Sequence, residues 1–245
     1  MSRKSVITVC FMLAVLSSQV WGYWKEGDPY NMQNLQLPTG SVAPSLANID
    51  VIADDWMSLH SGPVNDVHIF IGCVEVPIIT NVQLSIYSST VGFPSETAGQ
   101  SYAMPDQILW SRDFSPGQFV HAVPFLFEGD PPSPLPPNII PYGEGHEQIS
   151  ITGIEDPFNQ EEGTVYWLGV SVTVIDDMFG SSVLWRSTQE QHNSPAVGGD
   201  GESANWTYLT GLQSGGIDMA FVIVPEPMTI SLLALGGLAV IRRRK

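Results

Sequence analysis

The sequence predicts an all-β protein: an antiparallel β-sandwich, jelly-roll-like, with an N-terminal signal peptide and a short C-terminal transmembrane helix. Three observations predict it. Between positions 23 and 224 the apolar residues recur at every second position, the period of a half-buried strand. Pro and Gly, 19 and 23 in the chain, break the pattern every ten residues or so, as turns do in sandwiches. The two ends differ from the middle, because each joins an apolar run to a basic cluster.

Met1 to Gly22 places Arg3 and Lys4 ahead of an apolar stretch, Val6 to Leu16, and closes on small or polar residues. That three-part layout is a secretory signal peptide. Val20 and Gly22 fill the small-residue sites before a cut at Tyr23. The apolar run is shorter than the roughly 20 residues a membrane-spanning helix needs.

Residues 23–224 remain as one domain of 202 residues, the extracellular β-sandwich. Its clearest strands hold Val82, Leu84 and Ile86, then Tyr166, Leu168, Val170, Val172 and Val174, then Ile217, Met219, Phe221 and Ile223. Six shorter runs (67–74, 108–114, 119–127, 148–154, 182–187 and 206–209) bring the expected count to about nine by the same template. No 20–50-residue repeat is present, which argues against a propeller or solenoid. Pro131, Pro132, Pro134, Pro136 and Pro137 cannot sit in a central strand, since proline lacks the ladder donor. They predict a stiff extended connection between strands.

The domain is strongly acidic. Its basic residues are Lys25, Arg112 and Arg186, against 24 acids (every acid of the chain except Glu226), a net charge of −21. Such a surface repels nucleic acid, whose binding depends on Lys and Arg neutralising phosphate. It stays soluble and draws divalent cations. Cys10 lies in the signal peptide, so Cys73 is the domain's single thiol and no internal disulfide can form. Its apolar, alternating surroundings predict a buried structural cysteine.

The last 21 residues, 225–245, read Pro225-Glu226-Pro227, an apolar stretch to Ile241, and Arg242, Arg243, Arg244 and Lys245. Met228–Ile241, 14 residues, spans about 21 Å as a helix, short of a ~30 Å hydrocarbon core. The four terminal cations hold that end on the cytoplasmic side. The two prolines keep the preceding segment extended and out of the helix, which suits protease recognition.

This order resembles the PEP-CTERM sorting signal, in which Pro-Glu-Pro precedes a short membrane segment and an arginine-rich end. The resemblance implies export by the translocase, processing by an exosortase, and transient residence in the inner membrane. The final location it implies is the cell surface or extracellular matrix of a bacterium that makes exopolysaccharide. A second likeness rests on Ala53-Asp54-Asp55-Trp56, Gly62–Ile69, Gly163–Leu168 and Ile217–Phe221. These segments are similar to an uncharacterised extracellular domain family found on PEP-CTERM proteins. Met57, Ser58 and Val74 stand where that family often carries a cysteine and a tryptophan. The likeness implies architecture and location and brings no activity.

Several constellations bear on chemistry. Asp66 and His68, two apart on a strand, share a face and form half of a hydrolytic dyad. No Gly-x-Ser-x-Gly elbow accompanies them, and a surface or packed pair is the expectation. His60, His68, His121, His146 and His192 never fall at metal spacing, and His146-Glu147 lacks the second histidine of a zincin. No zinc site is therefore expected. Asp54-Asp55 and Asp176-Asp177 offer oxygens to calcium without the spaced calcium-loop pattern, and turns at strand ends account for them equally. Trp56, Trp110, Trp167, Trp185 and Trp206 serve either the core or sugar stacking, with core the default.

The expectation is a non-enzymatic, sorted surface protein of the envelope or exopolysaccharide matrix, with no catalytic residues and no cofactor. One alternative is a carbohydrate-binding module, calcium-assisted. A second is a polysaccharide hydrolase, which needs a cleft with two facing carboxylates, one of raised pKa.

Overall fold

The computed structural model of the chain describes residues 24–38, 44–46, 50–73, 77–90, 93–94, 101–124, 139–142, 147–175, 183–188, 192–201, 205–209 and 216–224. All lie in one compact unit, Gly22–Pro225. The expected signal peptide (1–22), the expected sorting tail with its short membrane helix (225–245), the proline-rich stretch and Asp176-Asp177 fall outside the described residues.

Every element among the described residues is a strand. In chain order these are β1 (Val51–Met57), β2 (Gly62–Pro63), β3 (Asp66–Cys73), β4 (Ile79–Ser89), β5 (Phe93–Pro94), β6 (Ser101–Tyr102), β7 (Pro105–Phe114), β8 (Val120–Pro124) and β9 (Ile139–Tyr142). There follow β10 (Gln148–Ile151), β11 (Asn159–Gln160), β12 (Val165–Val174), β13 (Val183–Trp185), β14 (Ser187–Thr188), β15 (Val197–Gly199), β16 (Thr207–Tyr208), β17 (Asp218–Met219) and β18 (Phe221–Val224). Each run expected from alternation contains an observed strand.

Two sheets carry the architecture. The first runs β16-β15-β1-β12-β4-β7 and is antiparallel throughout. The second runs β13-β3-β10-β8-β9, with β18 beside β3 on the edge it shares with β13. One pair corrects the antiparallel expectation: β8 and β9 are parallel. Parallel neighbours need a crossover of about a dozen residues or more. The connection 125–138, which contains the proline-rich stretch, supplies 14. Pro141 lies in β9, the terminal strand of that sheet, the kind of position where proline is tolerated.

The inner faces meet in one core. Ile52, Leu84, Ile86, Leu168 and Val170 of the first sheet join Ile69, Ile71, Ile149 and Phe221 of the second, all essentially without solvent contact. Fully burying each such side chain contributes about 1.5–3 kcal/mol.

The outer faces are covered too. Val51, Ala53, Tyr87, Trp167, Val197 and Trp206 form a cluster on the back of the first sheet. Trp24, Phe70, Ala220 and Val222 form one on the back of the second, laid down by the N-terminal segment. Gln148 secures that segment, because its side chain accepts the Trp24 N–H at 3.0 Å and donates to the Trp24 carbonyl at 3.0 Å.

This double covering explains the one major strand that alternation does not reveal. β1 sits between β12 and β15 and is buried on both faces, so its sequence VIADDWM has no polar side to display. Asp54 and Asp55, which look like turn residues, lie mid-strand.

Candidate functional site

Neighbouring strand residues point to opposite faces. Asp54, in register with Leu168, therefore faces the core, whereas Asp55, in register with Trp167, faces the back of the sheet. Both are buried, as is Asp218 of β17. Asp54 accepts the Met219 N–H at 2.6 Å and the Asp55 N–H at 2.9 Å. Asp55 accepts the Ser194 N–H at 3.2 Å. Asp218 accepts the His192 N–H. Asn193, between these two donors, holds a left-handed φ of 57°, a conformation asparagine tolerates better than most residues.

Asp54 and Asp55 thus hold the Met219 and Ser194 amides against β1, and Asp218 ties the His192 amide to β17. Burial, first, raises all three pKa values. Asp55 is pushed up to about 7 against the opposing pull of the Ser194 N–H. Asp218 is pushed up to about 8, with the neighbouring Asp55 charge adding to burial. Asp54 moves up as well, through burial and then repulsion from Asp218 and Asp55. The Asp218 Oδ1 is buried without a partner, a natural seat for a retained proton.

A different set of donors converges on one point. Cys73 at the end of β3, His121 of β8 and Glu147, the residue before β10, each offer one ligand atom, and the three atoms lie within 4.8 Å of one another. The register explains the meeting. His121 pairs with core residue Ile149. Glu147 is two residues before Ile149 and Cys73 two after Ile71, so all three project from the inner face of the second sheet. Glu147 ties the group together. Its Oε1 lies 2.8 Å from His121 Nε2, and its Oε2 accepts the Cys73 N–H at 3.0 Å. His121 is fully buried and its Nδ1 has no partner. The Glu147 side chain retains 13% exposure.

Burial pushes the Cys73 thiol up, and the Glu147 carboxylate adds to it both by charge and by accepting from the thiol. A nucleophilic cysteine needs the reverse, a neighbour that stabilises thiolate. The trio is a thiol, disfavoured as thiolate, held against the Glu147 and His121 side chains. Asp54 and Asp55 do not join it.

A family model described as a domain of unknown function, DUF7901, matches residues 29–224. The chain belongs to the DUF7901 family. No curated protein and no solved structure matches it.

The remaining predicted residues of this DUF7901 domain fall in structural places. Asp66 and His68 share the outer face of β3 but do not bond each other. Asp66 accepts the Gly153 N–H at 2.8 Å, and His68 Nδ1 pairs with Ser150 Oγ at 2.9 Å. Ser150 in turn donates to Gln148 at 3.3 Å, beneath the Trp24 segment. Burial holds the His68 pKa down at about 3. Trp56, Trp167, Trp185 and Trp206 are buried, and Trp110 is half-buried with its Nε1–H on the Asp156 carbonyl at 3.0 Å. A shallow pocket of about 170 Å³ lies between Arg112, Phe114, Gln118 and residues 152–155, and Arg112 meets Glu155 at its wall at 3.4 Å.

Sequence reasoning missed two things. Asp218 lies far along the chain from Asp54, and only the fold unites them. His121 and Glu147 match no motif, because their spacing is set by a sheet register. The one available signal was compositional: the domain's single cysteine, on a strand, in a chain whose histidines are scattered along the sequence.

Proposed function

We propose that this DUF7901 chain is an exported, exosortase-sorted protein of the bacterial cell surface or extracellular matrix. Its jelly-roll-like domain works there without catalysis. The observation that carries the proposal is the abutment of fold and motif. β18 ends at Val224, and Pro225-Glu226-Pro227 begins at the next residue. The sorting signal therefore starts where the sheet stops, with the short apolar stretch and Arg242–Lys245 beyond it.

Other features support the parts of this reading. Strand pairs β1/β12, β3/β10 and β4/β7 nest as in a rolled hairpin, which supports jelly-roll-like winding. The non-catalytic reading is supported by the acids of raised pKa, which are sealed under backbone amides, and by the protonated Cys73. Burial of four tryptophans favours a structural matrix role over sugar stacking. A net charge of −21 keeps such a domain soluble outside the membrane.

The test is fractionation of an exosortase-bearing bacterium that expresses the tagged full chain. The mature domain is expected at the surface or in the matrix, with its C-terminus cut near Pro225–Pro227. Replacing Glu226 with Ala is expected to trap uncut protein in the inner membrane. Recovery of unprocessed wild-type chain from the cytoplasm would refute the proposal.

A further inference from the structure

We propose that Cys73, His121 and Glu147 form a binding site for one thiophilic divalent cation, of which Zn²⁺ is the probe. The inference is independent of how the chain is sorted.

The donor set selects the class of metal. One sulfur, one imidazole nitrogen and one carboxylate oxygen suit a borderline-soft ion of low coordination number. Calcium requires six to eight oxygens, and these residues offer far fewer. Three protein ligands leave the fourth tetrahedral position to water.

The distances suit it as well. Tetrahedral bonds of roughly 2.1 Å set ligand atoms roughly 3.4 Å apart. Donors that lie within 4.8 Å, with His121 and Glu147 at 2.8 Å, reach this by small side-chain shifts. Glu147, partly exposed, supplies both that freedom and the route for the ion.

The sheet makes the site rigid elsewhere. Cys73 and His121 stand on strands bridged by β10, so their backbones are fixed by ladder hydrogen bonds. The second independent observation is His121 Nδ1, a fully buried ring nitrogen without a partner. Nε2, which faces Glu147 at 2.8 Å, is the ligand atom, and Nδ1 is free to take the ring proton that the ion displaces.

Binding replaces the thiol proton: the S–H bond breaks, an S–metal bond forms, and the proton leaves to solvent. The acidic surface concentrates the cation at the domain.

The experiment uses the full chain in detergent, untagged with histidines, reduced and stripped of metal. It is titrated with Zn²⁺ in a tenfold excess of Mg²⁺, which occupies loose carboxylate sites, and with Co²⁺ as a spectroscopic reporter. The expected result is one equivalent of Zn²⁺, release of about one proton, a raised Tm and a thiolate-to-cobalt charge-transfer band. Cys73→Ser should remove the band and weaken Zn²⁺ by about 100-fold. Glu147→Gln should weaken it by about tenfold, in line with loss of a charged ligand. Circular dichroism confirms that each variant is folded. Cys10→Ser, the control on the other cysteine, should change nothing. Failure of folded wild-type protein to hold an equivalent, or equal binding by Cys73→Ser, would overturn the site.

Discussion

Raising the pH from 6.5 to 8 should destabilise this domain, and the buried aspartates set the size of the effect. In the unfolded chain their carboxyls titrate near 3.8, whereas in the folded chain Asp55 titrates at about 7 and Asp218 at about 8. A folded pKa above the unfolded value means that the native state holds protons the unfolded state has lost. That stabilisation is complete below the unfolded value and disappears as pH rises through 7 and 8. Integrating the two titrations from pH 6.5 to 8 gives a loss of about 2 kcal/mol, most of it from Asp218. For a domain of this size that is a fall in Tm of about 4–8 °C.

The window is chosen to exclude His68. Its pKa is held down at about 3 from an ordinary 6.5, so its own contribution is lost as pH falls below 6.5, the opposite sign. Between pH 5 and 6.5 the two effects oppose, and His68 offsets a little under half of the loss from the two aspartates. Calorimetry or thermal circular dichroism at half-unit pH intervals and constant ionic strength provides the assay. Asp218→Asn keeps an oxygen for the His192 N–H but cannot ionise. It should remove the Asp218 share of the pH 6.5–8 loss and leave the variant more stable than wild type at pH 8. A wild-type Tm that rises between pH 6.5 and 8, or an unchanged slope in Asp218→Asn, would refute the reasoning.

Three further outcomes follow from packing. Gly169→Ala should cost about 1–3 kcal/mol in urea unfolding, because its Cβ would lie 2.7 Å from Tyr87 Cε2 and 3.1 Å from Val51 Cγ1 in a closed cluster; an unchanged midpoint would contradict this. Trp185→Ala should cost about 3–5 kcal/mol by the same measurement, since it empties a fully buried site and removes the Nε1–H bond at 2.9 Å to the Ala220 carbonyl, which keeps only the Phe70 N–H. Gln148→Ala removes both bonds to the Trp24 backbone. It should speed hydrogen exchange and proteolysis across 24–37 while leaving the inner core protected, and uniform protection would count against the strap.

Much of the fold was legible because period-two burial leaves a mark on sequence. β4 and β12 show it plainly: Val82, Leu84 and Ile86, and Leu168 and Val170, stand on the core side, with small or polar residues between them. β1 left no such mark. It is buried on both faces, and its acids are neutralised by environment rather than exposed, so Asp54 and Asp55 read as turn residues. The parallel β8/β9 pair was equally hidden, because the proline-rich connection announces stiffness but not the direction of the strand it delivers.

Sequence by itself determined the class of fold, the acidic surface, the solitary cysteine of the domain and the motif order at both ends, since each depends on composition or on neighbours along the chain. The tertiary structure alone decided that Asp218 joins Asp54 and Asp55, that His68 answers Ser150 rather than Asp66, and that Cys73, His121 and Glu147 share one face at one place. Those meetings depend on strand register across large gaps in the chain. A shift of one residue in a register turns every side chain of a strand to the opposite face, and no local pattern encodes that choice.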